Sequence, residues 1–193
     1  MLRRRPSNFE PRLTAFVAIL GLLWLPVVRA DVLSAGRAGF VVQSKTVIEA
    51  PRGRVWQAAI DEVSSWWNDD LTVSGDASRL NIDARPLGCF CEMLGGDDGV
   101  THLVVTTAST HVMLRMTGGL GPLGLMGVNG NMTWEFFDAA ENDATEVRFT
   151  YAVGGYSPEG LDALAEPVDR VVSEALELLK SHVEIGADDR DAD

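Results

Sequence analysis

Histidine is scarce in this chain: three in 193 residues, His102, His111 and His182. The sequence also has no G-x-S-x-G, H-E-x-x-H or Walker loop. With so few imidazoles and none of these frames, the sequence yields no nucleophile, base and orienter set. Basic side chains are few, 16 against 28 acidic, for a formal charge of −12. Such a surface repels nucleic acid and anionic lipid head groups, and it keeps the protein soluble.

Long apolar runs are limited to one. Leu13–Val28 spans 16 residues and carries Pro26 near its end, against the ~20 residues a bilayer-crossing helix needs. Arg3, Arg4, Arg5 and Arg12 precede it, and Val28-Arg29-Ala30 closes it. A basic start, an apolar stretch and a small-residue close predict a secretory signal over 1–30, with an uncleaved anchor as the alternative. The residue directly after Ala30 is Asp31 and not cysteine, so a lipid-modified N-terminus is not expected. The protein is expected to be exported, to the periplasm if the source is Gram-negative, with no stable membrane span once the signal is cut. Cleavage would leave 163 residues with 11 basic and 27 acidic side chains, a formal charge of −16. That is the size of one domain, 31–185, followed by an acidic tail over 186–193.

What is present reads as a sheet followed by a helix. Phe40–Ile48 is β-branched and predicts a strand. Pro51 opens a short helix with Val55, Ala58 and Ala59 at helical spacing, and Ser64–Trp67 a second helix or packed turn. From Ser78 the period becomes two. Leu80–Ala84, Gly88–Leu94, Val100–Thr107, Val112–Thr117, Met132–Phe136 and Val147–Val153 predict six further strands in a meander. Leu161, Leu164, Val168, Val172, Ala175, Leu176 and Leu179 then recur at three and four. They predict a long amphipathic helix over 159–184, with Ser157 as its cap and a kink at Pro167. The expected fold class is α+β: a curved antiparallel sheet of about seven strands around a long C-terminal helix, with two short helices after the first strand.

This order is similar to the helix-grip fold of the SRPBCC superfamily, which holds START lipid-transfer domains, birch-pollen-allergen-like proteins and polyketide cyclases. The stretches that carry the resemblance are VIEAPRGRVWQAAIDEVSSWW (47–67), LGCFCE (87–92), GGLGPLGLMG (118–127) and YAVGGYSPEGLDALAEPVDRVV (151–172). The likeness is to an exported bacterial branch. It implies a cavity between sheet and helix that binds an apolar small molecule or lipid, with no cofactor. It transfers no shared catalytic set.

Gly119, Gly121 and Gly124 spell G-x-G-x-x-G. A dinucleotide site needs a helix straight after that motif, and here Pro122, Gly127 and Gly130 intervene before strand alternation resumes at Met132. The match is therefore coincidental. Leu120, Leu123 and Met126 put apolar side chains on this flexible backbone. They form either a plug over the core or a mobile portal.

A ligand cavity of this fold would be walled by Trp66, Trp67, Leu114, Met116, Trp134, Phe136 and Tyr151. Leu120, Leu123 and Met126 would lie over it, and Leu164, Val168 and Val172 would close it from the helix. Tyr151 and Tyr156 offer hydroxyls at its mouth. Cys89 and Cys91 lie two apart on one strand face, as free thiols, as a disulfide that needs a bulge, or as part of a metal site. His102 falls opposite Cys91 or Glu92 according to the hairpin turn length. The first register makes a Cys89/Cys91/His102 zinc trio, the second a Glu92–His102 acid/base pair for a cyclase or hydrolase. A chaperone-like role, by analogy with heat-shock-protein activator homologues of the same superfamily, is a further alternative.

Overall fold

The structure is a computed structural model, and it describes residues 29–139 and 143–188. Of the expected signal, only Arg29 and Ala30 fall within these, and most of the acidic tail lies outside them.

Two strands open the chain, β1 (Arg29–Gly36) and β2 (Gly39–Ile48). Helices α1 (Arg52–Asp61) and α2 (Val63–Trp66) follow. Then come β3 (Leu80–Ile82), β4 (Cys89–Gly95), β5 (Asp98–Ser109), β6 (Met113–Gly118), β7 (Val128–Asp138) and β8 (Thr145–Gly155). Helix α3 (Ala165–Asp188) ends the described chain. The eight strands form one antiparallel sheet in the order β1-β2-β8-β7-β6-β5-β4-β3. The architecture is thus α+β and of helix-grip type, with eight strands rather than about seven. The strand missed is β1, whose first two residues fall inside the segment assigned to the signal.

Alternation drives the sheet. In β8, Thr145, Val147, Phe149, Tyr151 and Val153 are buried, with Glu146, Arg148 and Thr150 between them only partly so. Bulges bend the sheet, between Phe90 and Cys91 opposite β5 and between Val105 and Thr107 opposite β6. Each inserts a residue and sharpens the local twist. The hollow so formed receives α3, which packs mainly over β2 and β1. Val172, Ala175, Leu176, Leu179 and Val183 are its buried stripe, one face at helical spacing.

The helix starts later than expected. A 3-10 turn covers Asp162–Leu164, and α3 begins at Ala165. Ser157 therefore caps a turn, its carbonyl accepting from Gly160 N–H, and not the helix. Pro167 falls in the first turn, where backbone N–H groups have no intrahelical acceptor, so the expected kink has no cause.

The centre of the core is solid. The Trp134 ring stacks on Phe149, centroids 4.4 Å apart and planes 15° from parallel. Trp56 meets Phe136 edge-on at 5.2 Å, and Trp66 tilts over Trp134 at 6.3 Å. Trp66 Nε1–H donates to the Ala58 carbonyl at 2.8 Å, which ties α2 to α1. Glu62, between these helices, accepts from both Arg54 terminal nitrogens at 2.8 and 3.0 Å and lies 2.6 Å from His182 Nε2 of α3. Among the described residues no helix is long and apolar enough to cross a membrane.

Candidate functional site

A cavity of about 680 Å³ opens at one end of the sheet. Its walls come from residues 70–73 after α2, residues 100–102 of β5, the glycine-rich segment 119–126, Tyr151 of β8 and Leu164, Pro167, Val168 and Val171 at the start of α3. The volume lies in the range of small-molecule pockets, which are mostly apolar with few polar anchors.

The glycine-rich segment forms the cover. Residues Gly121–Leu125 make a 3-10 turn, with Leu123 buried and Leu125 94% exposed. Gly119 is required by the turn's own tightness, since a Cβ there would sit 2.5 Å from Gly124 N. Tyr151 holds the cover in place. Its hydroxyl accepts from Leu120 N–H at 3.1 Å and donates to the Gly118 carbonyl at 3.0 Å. Burial pushes the Tyr151 phenol up, and the Leu120 N–H only partly offsets this, so the hydroxyl keeps its proton at ordinary pH. Gly130 makes the reach possible, because a Cβ there would stand 2.5 Å from the Tyr151 ring. The hydroxyl expected to meet a ligand is thus committed to the cover, and Tyr156 is exposed and off the cavity wall.

Seven residues expected at the cavity border it: Trp67, Leu120, Leu123, Met126, Tyr151, Leu164 and Val168. Six do not: Trp66, Leu114, Met116, Trp134, Phe136 and Val172 fill the solid core. They face inward as their alternation requires, but the interior there is closed by aromatic stacking. The open volume lies nearer the sheet end. Leu71, Val73, Val100 and Pro122 are wall residues the sequence reading missed, since they sit on loops or at a strand start where no period marks them.

Glu92 and His102 meet beside this cavity. The Glu92 carboxylate accepts from His102 Nε2 at 3.0 Å, from Val73 N–H at 2.9 Å and from Ser74 N–H at 2.5 Å. Both side chains are buried, His102 at 4% exposure and Glu92 at 0%. Burial alone would raise the Glu92 carboxyl. Hydrogen bonds from Ser74, the Val73 N–H and His102 outweigh it and hold the group at about 2. Glu92 is therefore ionised at neutral pH, and it pins residues 73–74 at the cavity mouth. His102 is a bulge residue: β4 pairs Cys91 with Thr101 and Phe90 with Leu103. That extra residue lets His102 and Leu103 both turn inward.

Cys89 and Cys91 form a disulfide with Cα atoms 5.4 Å apart. They alternate with buried Phe90 and Glu92, and Cys91 Sγ meets Thr101 Oγ1 at 3.4 Å. The zinc trio is overturned: both thiols are oxidised, and they face away from the interior that His102 enters. Among the described residues no group of three potential ligands gathers for a metal.

No family model and no curated protein matches the chain. Solved structures do. An uncharacterised protein from Rhizobium leguminosarum is 18% identical, with a TM-score of 0.53, covering 82% of this chain and 98% of its own. A Rhodobacter sphaeroides protein is 14% identical at 0.53, covering 81% and 99%. DynU16, from the dynemicin biosynthetic locus, is 17% identical at 0.52; the match covers 76% of this chain and 48% of DynU16. At these identities the likeness is one of fold, the polyketide-cyclase-like helix-grip fold.

Proposed function

We propose that the protein is a member of the SRPBCC superfamily and binds an apolar small molecule or lipid in the cavity under residues 119–126. One observation carries this reading: a space of about 680 Å³ walled mostly by Leu, Val, Met, Pro and aromatic side chains. Apolar surface moved there from water contributes roughly 25 cal/mol per Å². Export supports the same picture, through the basic and apolar anatomy of 1–30 and through a disulfide, which persists in oxidising compartments. The test is native mass spectrometry of protein purified from its own host. A co-purifying small mass, lost in a variant with a filled cavity (Val168→Trp), supports binding. Bare protein that also fails to take up any apolar probe rejects it.

A second reading, catalysis of the cyclase or hydrolase type, has the Glu92–His102 contact in its favour. In this reading His102 would be the base and Glu92 its orienter, which is supported by the Glu92 carboxyl being held at about 2, too low for an acid near neutral pH. In that case Glu92→Gln loses turnover while ligand affinity persists.

A further inference from the structure

The neighbourhood of His102 narrows the ligand beyond "apolar". Glu92 is ionised and, as a carboxylate, only accepts hydrogen bonds. The proton in the Glu92–His102 contact therefore sits on His102 Nε2. In the neutral ring the other nitrogen, Nδ1, is then an acceptor. Among the described residues Nδ1 has no partner. It is also absent from the buried polar atoms sealed away without a partner, although the side chain is only 4% exposed. His102 lines the cavity, and Nδ1 is the ring nitrogen left for a ligand there.

Charge settles which head group suits it. Among the described residues no lysine or arginine borders the cavity; Asp70 does, and Glu92 stands directly behind His102. A carboxylate or phosphate would enter without a counter-ion and close to like charge, at a cost in a poorly solvated site. A hydroxyl donor meets no such cost and satisfies Nδ1.

We infer that the cavity takes a neutral, largely apolar molecule bearing a hydroxyl whose O–H donates to His102 Nδ1; this rests on the cavity-binding reading above.

The test compares three probes of one shape by calorimetric titration of the purified protein: 2-naphthol, 2-methoxynaphthalene and 2-naphthoate. The expected order is 2-naphthol tightest, the methyl ether roughly five- to tenfold weaker for want of one hydrogen bond, and 2-naphthoate weakest. In His102→Leu the gap between naphthol and ether closes. That variant also strips Glu92 of a donor, so the 15N resonance of His102 Nδ1 in the unaltered protein gives an independent reading. It shifts with 2-naphthol and stays with the ether. Equal affinity for naphthol and ether with an unmoved Nδ1 resonance overturns the hydroxyl anchor and leaves the cavity reading standing. Tightest binding of 2-naphthoate overturns it as well, because it requires a doubly protonated ring. Failure of all three probes to bind removes both.

Discussion

Tyr151 and Leu120 are joined across 31 positions of sequence by one hydrogen bond, Leu120 N–H to the Tyr151 hydroxyl at 3.1 Å. The same hydroxyl donates to Gly118, so a single core side chain fixes both ends of the turn where the cover leaves the sheet.

Tyr151→Phe keeps the ring and loses both bonds. The expected cost is about 1–2 kcal/mol in urea unfolding, from two bonds near 1 kcal/mol each. Hydrogen exchange at Leu120 should rise more than at core amides of β8, and apolar probes should enter and leave faster. Unchanged exchange at Leu120 would show that the cover is held by its apolar packing alone.

Leu125 separates recognition from stability. It borders the cavity yet is almost wholly exposed. Leu125→Ser should leave the unfolding midpoint within about 0.5 kcal/mol of the parent protein and slow uptake of an apolar probe by stopped-flow fluorescence. A loss of stability instead would place Leu125 in the fold's packing.

Acid should unfasten the cavity mouth through Glu92. Its carboxyl is held at about 2, below the ordinary 4.5. A depressed value means stability that is whole above the ordinary value and drains away as pH falls from about 4.5 towards 2. The full linkage figure is about 3 kcal/mol, and screening by water in the adjoining cavity brings it to about 2 kcal/mol. Glu92→Gln should therefore be less stable at pH 7 and lack this part of the acid slope. Urea midpoints of both proteins across that range check it, and parallel slopes would refute it.

The disulfide spans only two positions, so the chain entropy it removes is small. Cys89→Ser/Cys91→Ser should cost about 1–2 kcal/mol and leave the protein folded. Alkylation should add mass only after a reductant is supplied. Labelling without one would mean free thiols.

Legibility followed periodicity. Strands β2 to β8, the helix over Arg52–Asp61 and the stripe Val172–Leu179 were readable because their neighbours alternate or recur at three and four. The G-x-G-x-x-G match could be dismissed because context is also written in the chain. Neither register foreseen for His102 occurs: a bulge leaves it between the partners of Phe90 and Cys91, and only its side chain reaches Glu92, which turn length alone could not foretell because the bulge depends on pairing across β4 and β5. Inward direction was legible at Trp134 and Phe136, but not whether they meet a void or another ring. That depends on the stacking partner Phe149 and on where the sheet bends. The hydroxyl of Tyr151 was noticed, but its partners lie on a loop whose path no period encodes.

Strand β1 and the three-residue β3 sit at the open ends of the sheet order. Among the described residues each leaves a row of backbone groups without a neighbouring strand, the kind of border along which copies of a chain can zip together. Both borders are poor templates. Leu80–Ile82 is too short to seed a ladder, and β1 breaks its register between Val32 and Ser34, where Leu33 projects 54% exposed. An edge that is short on one side and broken in register on the other gives an incoming strand little regular backbone to pair with.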